Sequence, residues 1–244
     1  MLLVVALPRV PPMTTVPHSD PRGFAIPALS LSRPRATKAA DAARLRAAVE
    51  KRTGLTDQRL LAAIECTPRE LFVPEEQRQH AYEDVALPIG LEQTISQPSM
   101  VALMLAELEC LPQHELLEVG TGSGYAAAVV SNLVSRVYGV ERHAELAYRS
   151  RAVLARLGLT NVTIEHGDGT RIGAERRFDR ILVSAAATAV PSQLVAALAP
   201  GGRLVMPVGT SDRQTLLRVE LGHDGILREQ LGVPCIFVPL VEGQ

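Results

Sequence analysis

Nothing in these 244 residues limits the fold as tightly as Leu116-Leu117-Glu118-Val119-Gly120-Thr121-Gly122-Ser123-Gly124-Tyr125. An apolar run ends in three glycines at every second position, and an alanine-rich helical stretch follows. That order predicts a buried parallel strand, a tight turn, and a helix opening beneath a ligand. Glycine suits the turn because it can take φ > 0 and lets a ligand approach where a Cβ would clash. The first N–H groups of the helix then point at whatever sits above them. The spacing is one residue tighter than the Gly-x-Gly-x-x-Gly dinucleotide fingerprint. It leans toward S-adenosylmethionine, a nucleoside with no pyrophosphate to cradle, while a nicotinamide dinucleotide stays open at this point.

Around this stretch the chain alternates strand and helix. Strands are expected at 136–140, 162–165, 179–184 and 203–206, with helices at 144–157 and 192–198 between them. Segments 215–221, 226–231 and 236–240 read as strands of the far edge. Alternation of this kind gives a mostly parallel sheet with right-handed crossovers, flanked by helices. Upstream, residues 36–53 read as a helix stopped by Gly54, and Thr56-Asp57 caps a second helix running to about Cys66. Residues 71–100 differ in character: Pro88, Gly90 and Pro98 lie within eleven residues, which argues for a shaped, functional loop rather than regular structure. An apolar helix follows at 100–108. Residues 1–35 hold seven of the 17 prolines and no hydrophobic period, so a disordered tail is expected there, with the structured domain over 36–244.

In an open α/β sheet, ligands bind beyond the carboxyl ends of the strands. Glu141 ends the second strand, 21 positions after Gly120, where a carboxylate can accept both ribose hydroxyls. Asp168 lies between Gly167 and Gly169 just past the third strand, placed to accept a hydrogen bond from an adenine amine. Residues 184–188, a run of small side chains ending the fourth strand, either leave room for substrate or serve close packing.

Composition narrows the class further. Formal charge is −1, from 25 basic and 26 acidic residues, so no footprint for nucleic acid or membrane is expected. Aromatic residues are 3% of the chain and Trp is absent, so the core must be Val, Leu, Ile and Ala. Cys66, Cys110 and Cys235 have no zinc or disulfide spacing. Cys66 and Cys110 read as small core residues, and a reducing, cytoplasmic setting fits. No metal site is expected.

The combination resembles the protein-L-isoaspartate O-methyltransferase family. The resemblance is carried in order by Pro68-Arg69-Glu70-Leu71-Phe72-Val73-Pro74, Ala81-Tyr82-Glu83-Asp84, Leu87-Pro88-Ile89-Gly90 and Gln93-Thr94-Ile95-Ser96-Gln97-Pro98. The glycine turn, Gly167-Asp168-Gly169, Phe178-Asp179, Pro200-Gly201-Gly202-Arg203-Leu204-Val205 and Phe237-Val238-Pro239-Leu240 continue it. It spans about residues 42–241, and the Thr-Ile-Ser-Gln-Pro piece is its most specific part. The resemblance implies an α/β, Rossmann-like class I methyltransferase with a seven-stranded sheet and added N-terminal helices. It implies S-adenosylmethionine as methyl donor, S-adenosylhomocysteine as product, and the α-carboxylate of L-isoaspartyl residues in damaged proteins or peptides as acceptor, with repair through a succinimide. By the motif match Ser96 is the active-site serine. Thr94, Ile95, Gln97 and Val238 would line the peptide site. Glu118, Gly120, Thr121, Gly122, Ser123, Gly124, Glu141, Arg142, Asp168 and Gly169 would hold the cofactor. A monomer is expected.

Two positions depart from the family pattern: Glu92 stands where Gly is usual, and Ala126 where Gln is common. Glu92 adds negative charge near a site meant for a carboxylate, so an aspartyl peptide partner or a small molecule is the alternative substrate. An NAD-type Rossmann protein is the second alternative, although Asp168 and the Thr-Ile-Ser-Gln-Pro loop have no role in it. The extended segment 237–240 is expected to grip the substrate main chain, which would make flanking side chains matter little.

Overall fold

Local signals set the first helices. A computed structural model describes residues 36–172, 175–241 and 243; the tail expected over residues 1–35 lies outside them. Helix α1 (Ala36–Thr53) places Leu45 and Val49 on one buried stripe. It stops at Gly54, whose φ of 69° only glycine takes without strain. Asp57 caps α2 (Gln58–Cys66) by accepting hydrogen bonds from the Arg59 and Leu60 N–H groups at 2.9 and 3.3 Å, a contact worth about 1 kcal/mol. Pro68 precedes a short 3-10 turn, Arg69–Leu71, and sits at its cap rather than inside it. Helix α3 (Pro98–Leu108) opens with Pro98, which loses no helical hydrogen bond at that position.

The region expected to be an irregular loop contains a small hairpin. Strands β1 (Leu87–Gly90) and β2 (Gln93–Ile95) pair antiparallel, with Leu87 opposite Ile95 and Gly90 opposite Gln93. Pro88 and Gly90 argue against a strand, yet the alternately buried Leu87 and Ile89 anchor the ribbon in the core. Tertiary burial overrides propensity here.

The main sheet has seven strands in the order β5-β4-β3-β6-β7-β8-β9. These are β3 (Glu115–Val119), β4 (Arg136–Glu141), β5 (Val162–His166), β6 (Phe178–Val183), β7 (Leu198–Gly209), β8 (Gln214–Leu221) and β9 (Leu227–Cys235). The first five strands run parallel, and the last two pairings, β7 with β8 and β8 with β9, are antiparallel. The connecting helices are α4 (Tyr125–Val130), α5 (Ala144–Arg156) and α6 (Ser192–Ala196). Period-two alternation divides the core. Leu116, Leu182, Val205 and Leu216 pack with α1 to α5 on one face. Leu117, Val119, Ile181, Val183, Leu204 and Met206 pack on the α6 face. Each such fully buried Leu, Ile or Val contributes roughly 1.5–3 kcal/mol. The order of the strands reverses between β3 and β6, which opens the crevice at their carboxyl ends.

Two sequence expectations are corrected. Residues 236–240 are not a strand of the far edge: β9 ends at Cys235 and the chain turns back across the carboxyl ends of the sheet. Pro239 has no N–H to give to a ladder, and the segment is held instead by one isolated bridge, between Pro239 and Ala186. Cys110 is buried as expected, but Cys66, the last residue of α2, is exposed because it falls on the outer face of the helix.

Candidate active site

The glycine turn forms as its sequence demands. Gly120, Gly122 and Gly124 have φ of 78°, 51° and 85°. The Gly120 N–H donates to the Val140 carbonyl at 2.8 Å, and the Gly124 N–H to the Thr121 carbonyl at 2.7 Å. Glu141, at the end of β4, staples the turn from the side. Its carboxylate accepts the Gly122 N–H at 2.7 Å and the His143 N–H at 2.8 Å. Gly169 is required by close approach, since a Cβ there would meet Val119 Cγ1 at 2.6 Å.

Asp168 caps the 3-10 turn that follows it. Its carboxylate accepts the Thr170 N–H and hydroxyl at 2.9 and 2.6 Å and the Gly243 N–H at 2.9 Å. Burial acts to raise its pKa, but these bonds and the Arg171 guanidinium outweigh it and hold the carboxyl below the usual range. Glu118 is in the opposite situation. It is 1% exposed, and its Oε2 has no hydrogen-bond partner among the described residues. Burial pushes its carboxyl up to about 8; the Ser184 hydroxyl, 3.4 Å from Oε1, opposes this and the Glu141 carboxylate adds to it. A buried carboxylate with a free oxygen facing a cavity is a receptor for a cation.

That cavity, about 340 Å³, is bounded on one side by the glycine turn and on the other by the β1–β2 hairpin. Ser96, Thr94, Ile95 and Val238 line it together with Glu118, Gly120, Thr121, Gly122, Ser123, Glu141, Arg142, Asp168 and Gly169. Two sequence candidates lie outside its lining. Gly124 is buried at the start of α4, against Ser150. Gln97 turns away: its side-chain amide donates to Asp84 at 3.0 Å, while Asp84 also accepts the Ser99 N–H at 2.8 Å.

Several contributors were not evident from the sequence. Arg69 is fully buried and donates to four carbonyls, those of Ala81 at 2.9 Å, Glu83 at 3.2 Å, Val85 at 2.8 Å and Ser96 at 3.2 Å. It therefore fixes the segment that carries the serine, and its guanidinium lies 5.6 Å from the Tyr125 ring centre at the start of α4. Arg149 of α5 donates to the Ile89 carbonyl at 3.0 Å and pins the hairpin to the cofactor side. Gln214 grips Phe237 in both directions, accepting its N–H at 2.6 Å and donating to its carbonyl at 3.1 Å. The one available signal for Arg69 was its place in the Pro68-to-Pro74 motif, which does not mark it as buried.

The expectation that 237–240 grips a substrate main chain is also corrected. The Val238 carbonyl and the Leu240 N–H are taken by Ala186 at 2.8 and 2.7 Å, and Phe237 is taken by Gln214. Most of the groups that would form such bonds already have partners.

Comparison with known proteins gives a consistent result. Residues 43–244 match the family model described as protein-L-isoaspartate(D-aspartate) O-methyltransferase (PCMT). A protein-L-isoaspartate O-methyltransferase of Trichlorobacter lovleyi is 51% identical over 193 residues, covering 78% of this chain and 88% of that one. One from Roseiflexus castenholzii is 50% identical over 193 residues, covering 79% and 88%. A solved Plasmodium falciparum structure, described as a protein-L-isoaspartate O-methyltransferase in complex with S-adenosyl-L-homocysteine, superposes with a TM-score of 0.71. It is 25% identical and covers 82% of this chain and 98% of that one.

Proposed function

The chain belongs to the protein-L-isoaspartate(D-aspartate) O-methyltransferase family, and from that premise we propose how its site works. The enzyme transfers a methyl group from S-adenosylmethionine to the α-carboxylate of an L-isoaspartyl residue in a damaged protein or peptide. The observation that carries this reading is one cavity bounded by both the glycine turn and the Gln93-to-Ser96 loop. A nucleoside side and a peptide side therefore face each other directly.

The residues present suit the donor. Glu118 offers a buried carboxyl with one unpartnered oxygen, whose ionised form a cation would favour, and the positive-φ glycines leave the turn's backbone open to a ligand. In this assignment Glu141 takes the ribose hydroxyls with the lone pairs its two backbone donors leave free. Asp168 takes the adenine amine. Gly120, Thr121, Gly122 and Ser123 form the floor, Gly124 lets the chain turn into α4 behind it, and Arg142 and Gly169 close the edge. Bound there, S-adenosylmethionine supplies an electrophilic methyl group on a sulfonium and leaves as S-adenosylhomocysteine.

An isoaspartyl carboxylate has a pKa of about 4 and is ionised at neutral pH, so no general base is required. The chain's work is alignment and exclusion of water, for which effective molarities reach about 10⁵ M or more. Ser96 donates its hydroxyl proton to the carboxylate and orients it. Thr94, Ile95 and Val238 enclose the peptide, and Gln97 sets the loop through Asp84 rather than touching substrate. In the resulting methyl ester a neighbouring backbone amide nitrogen attacks the carbonyl carbon, the C–OCH3 bond breaks, and methanol leaves with the amide proton to give the succinimide. A monomer and a reducing cytoplasmic setting complete the proposal; the cysteine spacing, which carries no disulfide framework, fits the reducing setting.

The test is labelled methyl transfer from S-adenosylmethionine to matched isoaspartyl and aspartyl peptides. Label should enter the isoaspartyl peptide alone. Equal incorporation into both would refute the reading.

A further inference from the structure

The hairpin β1–β2 closes on a two-residue turn, Leu91-Glu92, whose φ values are 54° and 59°. A left-handed pair of this kind favours Asn and Gly and strains any residue with a longer side chain. Two such side chains are retained, and both line the cavity. The tip is held in place. The Gln93 side chain donates to the Leu91 carbonyl at 3.2 Å, Arg149 holds the Ile89 carbonyl, and Ile89 packs over Gly122 in the core. Leu91 is nevertheless 45% exposed, Glu92 is exposed, and among the described residues Glu92 pairs with no cation. The other acids of the cavity are engaged or buried: Glu141 and Asp168 by backbone N–H groups, Glu118 by 1% exposure. Glu92 is the acid that meets an arriving peptide.

Resting on the methyl-transfer reading above, we propose that this tip selects isoaspartyl substrates with a lysine or arginine flanking the damaged residue. Such a side chain has an apolar stem and a charged end. The stem lies along Leu91 while the charge pairs with Glu92. The physical need is specific, because the accepting group is itself an anion and an uncompensated acid at the rim repels it. A flanking cation cancels that repulsion; a flanking acid doubles it. Selectivity is by charge and modest in size, as befits an exposed pair.

The experiment measures kcat/KM for isoaspartyl peptides with Lys, Gln or Glu at each of two positions on either side, at low and high salt. The wild-type enzyme should prefer Lys to Gln by about 3-fold and Lys to Glu by about 10-fold at the responsive position, shrinking at high salt. Glu92→Gln should bring the Lys-to-Glu ratio to about 2 or less, and Glu92→Lys should invert it. Glu92→Gly, which suits the turn's backbone, is the second charge-free variant. Melting curves and S-adenosylhomocysteine affinity verify that each variant is folded. A Lys-to-Glu ratio identical in wild type and Glu92→Gln overturns the inference while leaving methyl transfer intact. Failure of every isoaspartyl peptide to exceed its aspartyl control overturns the underlying reading instead.

Discussion

Replacing Glu118 by Gln removes a carboxyl that burial keeps protonated near neutral pH and that becomes costly only as it ionises. The carboxyl is buried at 1% exposure, and burial, reinforced by Glu141 and partly offset by the Ser184 hydroxyl, pushes it from 4.5 up to about 8. The folded pKa is raised, so between those two values the folded state keeps a proton that the unfolded chain has released. Stability therefore falls as pH rises through this window, by at most about 1.4 kcal/mol per pH unit and about 5 kcal/mol in total. Glutamine fills the same volume without the charge. Urea midpoints of ligand-free wild type should decline between about pH 5 and about pH 9, while Glu118→Gln stays flatter and is the more stable protein at the alkaline end. A bound cation beside Glu118 favours its ionised form. Calorimetry of S-adenosylmethionine binding near neutral pH, in buffers of different ionisation enthalpy, should then show proton release by wild type that the variant lacks. Parallel stability curves for the two proteins, with equal proton release, would show that Glu118 is not the titrating group.

Three further outcomes follow from the geometry. Ser96→Ala should lower kcat by about 10-fold or more through lost alignment while S-adenosylhomocysteine affinity stays near wild type; equal losses in both would remove the serine from the substrate side. Arg69→Met strips the donors from four carbonyls and should cost on the order of 3–5 kcal/mol in urea unfolding. Arg69→Lys should recover only part of that because an ammonium cannot fork, and a loss below about 1 kcal/mol for Arg69→Met would mean that water replaces the clamp. Gln214→Ala frees Phe237 and should raise the peptide KM more than it changes cofactor affinity, as measured by steady-state kinetics and calorimetry. An unchanged peptide KM would detach the 236–240 segment from substrate binding.

What the sequence determined by itself was whatever neighbouring residues enforce on one another. The bounds of α1, the Asp57 cap, the strand and helix flanking Gly120 to Gly124, and the placement of Glu141 and Asp168 all follow from φ preferences, capping and period-two alternation acting over a few residues. So did the pairing of a nucleoside site with the Gln93-to-Ser96 loop, through the order of motifs. Tertiary structure decided everything that rests on partners far apart in the chain. Arg69 reaches carbonyls 12 to 27 residues away, and no local pattern marks an arginine as buried. Gln97 turns to Asp84, and Gln214 captures Phe237 across 23 residues. The hairpin exists because Leu87, Ile89 and Ile95 find a core to enter, against the propensities of Pro88 and Gly90. Residues 236–240 carry a strand-like composition but cross the sheet's carboxyl ends, because Ala186 and Gln214 offer their backbone groups closer partners than a further edge strand would. At Glu118 the sequence supplied the carboxylate, and the enclosing sheet supplied the burial that sets its charge.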